Sequence, residues 1–190
     1  MKVAVVIPCF NEEPNIARVI REVNSCNTGQ TYQLVAVVVN DKSTDLTHQL
    51  ASNEKCVLLD LPVNLGIGGA VQTGFKYAFE NNFDIALQLD GDGQHPAGEI
   101  EKIITPILSG DADVVIGSRF IERTGFQSSA VRRIGITFLE HLIKRFVHQN
   151  IRDCTSGFRA LNKKAVGIVA TDYPDDYPEP VSIITFHKHK

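Results

Sequence analysis

The feature that most constrains this chain is an alternation. Short runs, apolar at nearly every position, recur at Val3–Pro8, Leu34–Val39, Cys56–Asp60, Ile85–Asp90 and Val114–Gly117, separated by segments of helical length and period. The run Leu34-Val-Ala-Val-Val-Val39 has no polar face, so it suits a parallel strand covered by helices on both sides. The spacing predicts helices near residues 14–26, 45–53, 67–81 and 97–108. Pro14, just after Glu12-Glu13, fits a first helical turn, where its missing N–H is no loss. Ser43-Thr44-Asp45 offers side-chain oxygens to cap the second helix. No linker, repeat or low-complexity block interrupts residues 1–118. The expectation is an α/β, Rossmann-like three-layer sandwich, with a mostly parallel central sheet flanked by helices.

With 190 residues, 43% hydrophobic and 22% charged, the chain suffices for one domain that hides roughly 70% of its unfolded surface. Disordered and fibrous classes are excluded. Cys9, Cys26, Cys56 and Cys154 form neither a CxxC pattern nor a disulfide framework, which points to a reducing compartment. No run of 18 apolar residues appears, and the stretch Val3–Ile7 is cut short by Pro8 and Glu12-Glu13, too soon for a secretory signal. A cytoplasmic location is expected.

The small net charge of −3 conceals an opposition. Residues 1–100 hold 6 Lys/Arg and 12 Asp/Glu, whereas residues 117–165 hold 10 Lys/Arg against Glu122, Glu140 and Asp153, a net +7. One reading is an acidic metal-binding half followed by a basic anion-binding half; the other is two solvated helical faces. Nucleic acid is not an expected partner, because the basic stretch lacks interleaved aromatics and known module motifs.

In open α/β sheets, ligands collect beyond the carboxyl ends of the strands. The first strand leads into Pro8-Cys-Phe-Asn-Glu-Glu13, the second into Asn40-Asp-Lys-Ser43, the third toward Asn64-Leu-Gly66, and the fourth into Asp90-Gly-Asp92. Four successive polar loops thus fall along one edge. Asp90 and Asp92, separated by one residue, can reach one divalent cation, with Gln94 or His95 adding a ligand; hard oxygen donors favour magnesium or manganese. The alternative is an Asp- and Gly-rich turn. Asn64-Leu-Gly-Ile-Gly-Gly-Ala70 precedes a helix and would let phosphate approach backbone N–H groups through Gly66 and Gly69, or it serves only tight packing. It matches neither GxGxxG nor a P-loop. Asp41 either accepts from a base or ribose or caps the next helix. Arg119 follows a strand and suits phosphate; Arg132 and Arg133 bind an anion or are solvated. The stretch Ile134–Val147 forms one apolar helical stripe with a basic opposite face, fit to cover a sheet or to rest on an anionic membrane.

Together these segments resemble family-two glycosyltransferases of GT-A fold, in the branch of dolichyl-phosphate mannose synthases and bacterial polyprenyl-phosphate sugar transferases. The resemblance rests on Val6-Ile-Pro-Cys-Phe-Asn-Glu12, Asn40-Asp-Lys-Ser-Thr-Asp45, Asn64-Leu-Gly66, Leu89-Asp-Gly-Asp-Gly-Gln-His-Pro96, Ile116-Gly-Ser-Arg-Phe120 and Thr155-Ser-Gly-Phe-Arg159. It implies a single domain over 1–190, with a nucleotide-binding part at about 1–118 and an acceptor-side part at about 119–190. Pro8, Phe10, Asn11 and Glu12 would line the nucleotide pocket with Asp41, Asn64, Gly66, Gly69 and Gly91. Asp90, Asp92 and Gln94 would hold Mg or Mn, and Arg119 with Arg132 or Arg133 would bind phosphate. Where the second motif usually has an acidic pair and a glycine, this chain has Asn40-Asp41 and Lys42. Its final stretch, Val181–Lys190, departs from the family's continuation, which implies a shortened acceptor side.

The activity implied is metal-dependent, inverting transfer from a nucleoside-diphosphate-sugar to a lipid phosphate or a glycan of the cell envelope, with peripheral contact at the cytoplasmic face of the membrane. Asp92 and Arg119 would serve the chemistry. A glycan hydroxyl would need a base, for which Asp153 and Glu179 are the candidates, whereas a lipid phosphate is already anionic. The alternatives are a non-catalytic nucleotide-sugar-binding or assembly subunit, and a sugar-phosphate nucleotidyltransferase. The latter usually opens with a Gly-rich, Arg-containing loop, unlike Pro8-Cys-Phe-Asn-Glu12.

Overall fold

Strand β1 (Lys2–Cys9) is buried along seven of its eight residues, as a strand apolar on both faces must be. In the computed structural model, which describes residues 1–27, 31–117, 145, 147, 153–174 and 178–189, it lies inside a six-stranded sheet. Helix α1 (Ile16–Ser25) leads to β2 (Gln33–Asn40), α2 (Thr47–Ser52) to β3 (Val57–Asp60), and α3 (Gly66–Glu80) to β4 (Ile85–Gln88). A 3-10 turn (Ala97–Glu99) and α4 (Ile100–Leu108) precede β5 (Val114–Ile116); β6 (Arg159–Asn162), α5 (Lys163–Thr171) and α6 (Pro178–Lys188) follow. The strand order is β3-β2-β1-β4-β6-β5. Strands β1 to β4 pair in parallel, while β6 runs antiparallel to both β4 and β5.

The period of two along β1 divides the interior into two layers. Val3, Val5 and Ile7 pack with Ile16, Val19, Ile20 and Val23 of α1 and Ile100, Ile103, Ile104 and Ile107 of α4. Ala4 and Val6 pack on the other side with Val71, Phe75 and Ala78 of α3 and Val166 and Val169 of α5. The expected α/β three-layer sandwich is therefore the fold. Among the described residues no helix is long and apolar enough to cross a membrane.

Several boundaries differ from the sequence reading. Helix α1 begins at Ile16, not at Pro14, because the Glu12 carbonyl accepts from the N–H groups of Asn15 and Ile16 and leaves Pro14 in the preceding turn. Strand β4 ends at Gln88, so Asp90 stands free of the ladder. The segment 97–108 is split into a 3-10 turn and a helix. Strand β6 was not anticipated: it has four residues and starts with a cation. As expected, the Ser43–Asp45 cluster reaches the start of α2, where Asp45 Oδ1 accepts the Thr47 N–H at 3.0 Å, although the N-cap residue itself is Leu46.

Helix α3 lies close against β1. A Cβ at Gly74 would stand 2.2 Å from Val6 Cγ1, and Val6 is itself wholly buried. Gly74→Val should lower the unfolding free energy by about 1–3 kcal/mol through overpacking, read as a reduced urea midpoint at unchanged slope. An unchanged midpoint would show that α3 can lift off β1 without cost.

Candidate functional site

The chain leaves β1 in one direction to build β2 and β3 and in the other to build β4. A crevice must open where the strand order reverses, at the carboxyl ends of β1 and β4. A cavity of about 430 Å³ lies there, lined by Pro8, Cys9, Phe10 and Glu12 after β1, Asp41 after β2, Asn64, Gly66, Ile67 and Ala70 at the start of α3, and Asp90, Gly91 and Asp92 after β4. Four of these are carboxylates and none is basic.

The Leu89 N–H still bonds to the Val6 carbonyl at 2.9 Å, which carries the chain one residue past β4 before it turns. Asp90 Oδ1 accepts from Gln88 Nε2 at 3.2 Å, and Asp92 Oδ1 accepts from the Gln94 N–H at 2.9 Å. Among the described residues neither Oδ2 receives a hydrogen bond; His95 Nε2 stands 3.9 Å from that of Asp90. The His95 ring stacks on Phe158 with centroids 5.1 Å apart. Between the two acids only glycine fits closely, since a Cβ at Gly91 would come within 3.0 Å of the Pro8 carbonyl oxygen.

Asp41 faces these groups across the crevice. Its Oδ1 accepts the Leu65 N–H at 2.7 Å, and its carbonyl accepts from Asn64 Nδ2 at 3.1 Å, so this carboxylate fixes the approach to α3. The 15-residue helix α3 then begins at Gly66 on the wall of the cavity. The Gly66 N–H is held by Asn64 Oδ1 at 3.1 Å, and the helix N-terminus brings partial positive charge to a pocket otherwise negative. Cys9, behind Phe10, has its thiol pushed up to about 12 by burial first and by Glu12 next.

The structure thus brings Pro8, Phe10, Glu12, Asp41, Asn64, Gly66, Asp90, Gly91 and Asp92 together. It does not bring Asn11, Gly69 or Gln94 to the lining. Asn11, at φ 56°, donates its N–H to Ser43 Oγ and accepts the Thr44 N–H at 2.8 Å, tying the first loop to the second. Gly69 faces Leu65 within α3. Asp153 is wholly buried and accepts from Thr155 Oγ1. Glu179 lies in the first turn of α6, with its carbonyl accepting from Arg159. Neither lines the cavity. Arg119, Arg132 and Arg133, and all of the stretch expected to be helical over Ile134–Val147 except residues 145 and 147, lie outside the described residues; Arg145 is helical and exposed, Val147 helical and buried.

Sequence reasoning missed Cys9, Ile67 and Ala70 as lining residues. The signal was available for two of them, because Gly66 and Ala70 share a helix face at i and i+4 and Ile67 adjoins it. It gave no role to Arg159, although that residue closes the motif Thr155-Ser-Gly-Phe-Arg159.

Two carboxylates with oxygen donors, next to a cavity open to further ligands, suit a hard divalent ion that keeps water and phosphate oxygens in its shell. Among the described residues no group of three or more His, Cys, Asp or Glu side chains stands ready to hold a metal ion. The donor set therefore fits a cation only if the ligand itself supplies oxygens.

A family model described as glycosyl transferase family 2 matches residues 4–167. The chain is 29% identical, over 87% of its length, to UDP-N-acetylglucosamine–dolichyl-phosphate N-acetylglucosaminyltransferase of Methanococcus voltae, of which it spans 71%. It is 32% identical, over 87% of its length, to dolichol-phosphate mannosyltransferase of Pyrococcus furiosus, of which it spans 47%. Glucosyl-3-phosphoglycerate synthase of Mycobacterium tuberculosis, solved with Mn2+, UDP and glucosyl-3-phosphoglycerate, superposes over 96% of this chain and 63% of its own, with a TM-score of 0.71 at 17% identity. The chain thus spans less than two thirds of that structure, and the shared architecture is the GT-A fold that the sequence motifs implied.

The raised Cys9 pKa has a direct consequence. At pH 8 its thiol stays protonated, so iodoacetamide should leave Cys9 unlabelled in the native protein and alkylate it only after unfolding, as peptide mass spectrometry would report. Rapid native labelling of Cys9 would contradict the burial described.

Proposed function

We propose that this chain, which belongs to glycosyl transferase family 2, transfers a sugar from a nucleoside-diphosphate-sugar to a polyprenyl phosphate, with inversion at the anomeric carbon. The observation that carries the reading is the charge of the crevice. A diphosphate cannot rest among Glu12, Asp41, Asp90 and Asp92 without a cation between, so the pocket suits a nucleotide that arrives with Mg or Mn. Asp90 and Asp92 would hold that ion, with Gln94 as the proposed third ligand, and the bound ion would offset charge on the departing diphosphate.

The protein's own groups do the rest. Pro8, Phe10 and Asp41 position the base and ribose, the first turn of α3 beyond Gly66, whose own N–H is taken by Asn64 Oδ1, turns its positive end to the diphosphate, and Arg119 with Arg132 or Arg133 binds phosphate of donor or acceptor. Holding the acceptor in line with the anomeric carbon supplies most of the rate, because a positioned nucleophile needs little further activation. Residues 1–118 serve the donor and residues 119–190 the acceptor. The dolichyl-phosphate acceptors in the names of two relatives support a lipid phosphate. So does the placement of Asp153 and Glu179 away from the cavity lining, since a phosphate oxygen near neutral pH needs no base. The basic segment 119–145 would meet the acceptor at the membrane surface.

A nucleoside diphosphate at about 100 times its dissociation constant in manganese should stabilise the native protein by about 2.7 kcal/mol, and the same concentration in EDTA by far less. Asp92→Asn should abolish that difference while leaving the unliganded melting temperature within a few degrees. Transfer is expected to polyprenyl phosphate and not to oligosaccharide. Transfer to sugar alone would refute the lipid acceptor, and binding with no turnover on any acceptor would refute the enzyme reading in favour of an assembly subunit.

A further inference from the structure

Among the described residues Arg159 is the bulkiest side chain withdrawn from solvent, at 1% exposure. Burying a guanidinium costs several kcal/mol even after relaxation. Burial pushes its pKa down, with Glu179 and Asp90 among the charges that push it back. Its hydrogen bonds go to neutral oxygens: Nε and Nη2 donate to the Ser156 carbonyl at 3.2 and 2.6 Å, and Nη1 donates to the Glu179 carbonyl at 3.2 Å and to Ser182 Oγ at 2.8 Å. Only the planar, five-donor fork of arginine reaches a loop carbonyl, a helix carbonyl and a hydroxyl at once.

What this clamp holds leads back to the acidic pair. The loop just before β6 runs beside the carboxylate of Asp90: a Cβ at Gly157 would stand 2.8 Å from Gln88 Nε2 and 3.0 and 3.1 Å from the two Asp90 oxygens. Arg159 is the β6 partner of Gln88, the residue that donates to Asp90. Gln88 Oε1 is buried without a hydrogen bond, which leaves the Gln88 amide tethered on one side only. The backbone at Ser156-Gly157 is thus a wall against which the carboxylate rests, and Arg159 secures that wall to α6.

We propose that Arg159 is a positioning residue for Asp90: by clamping the Ser156-Gly157 backbone to Glu179 and Ser182 of α6, it sets where the carboxylate stands and couples the seating of α6 to the acidic pair. This rests on the reading that Asp90 acts on a metal-borne diphosphate. A residue that merely stabilised the fold would affect ligand binding uniformly. A positioning residue alters the metal-dependent part alone.

The test is calorimetric binding of a nucleoside diphosphate, in EDTA and in manganese, to the whole chain and to its Gly157→Ala and Arg159→Met variants. Alanine fits the backbone at 157, which is not among the positive-φ positions, so its effect is a local push on Asp90 and Gln88. Both variants should lose about tenfold or more of the manganese-dependent gain in affinity, the scale seen when partners of metal ligands are removed, with affinity in EDTA and circular dichroism unchanged. If the parent chain shows the gain and the variants keep it in full, the positioning role is overturned. If the parent itself shows no gain, the assignment of the acidic pair fails first and takes the positioning role with it. Should Arg159→Met not fold, Ser182→Ala, which removes the hydroxyl that accepts from Arg159 Nη1, takes its place, with the same loss expected and full retention of the gain overturning the role.

Discussion

Parallel pairing of β1 with β2 on one side and β4 on the other is the constraint on which everything else in this molecule depends. Parallel strands deliver their carboxyl ends to one edge, and the reversal at β1 leaves a gap there that the loops cannot close. The register sets what meets at that gap. Cys9 pairs with Asn40, Asn40 with Asp60, and Val6 with Gln88, so the loops after β1, β2 and β4 emerge side by side. Their side chains then bind one another. Asn11 joins the first loop to the second, and Asp41 joins the second to the head of α3.

The electrostatics follow from that arrangement. A pocket of four carboxylates beside a helix N-terminus favours an anionic ligand only in company with a cation. Most neighbouring polar groups are already committed to structure. Asn40 donates to Asp60 at 2.8 Å and accepts from the Ser43 N–H, which explains why the second motif tolerates an amide there. On the α3 and α5 side of the sheet, Arg159 places a cation within the electrostatic reach of Asp90 and binds the last helix to the same loop. The C-terminal segment is therefore connected to the site through a buried side chain, not through the cavity lining.

Much of this was legible in the sequence because it is periodic. Strands apolar on both faces announce a covered parallel sheet, and polar residues just past each run mark the edge where ligands bind. Asp90, Asp92, Asp41, Glu12 and Asn64 could be read in this way, for each lies within four residues past the end of its strand. What could not be read lacks a local signature. Strand β6 is defined by its partners β4 and β5 across the sheet, and nothing in Arg159-Ala-Leu-Asn162 distinguishes an interior strand from a loop. Arg159 looked like one more charge in a basic stretch, whereas its neighbours in space make it a buried clamp. Asn11 and Gly69 were drawn toward the pocket by their position in motifs, yet their side-chain space is taken by Ser43, Thr44 and Leu65. Sequence proximity to a site is weaker information than the direction of a Cα–Cβ bond.

The most direct measurement is an anomalous difference map from crystals soaked with manganese and a nucleoside diphosphate. If Asp90 and Asp92 carry the cation for the leaving group, one peak lies about 2.1 Å from a carboxylate oxygen of this pair, with diphosphate oxygens in the same shell and the base toward Asp41. A bound nucleotide whose phosphates point away from the pair, or manganese settled elsewhere, would contradict that assignment.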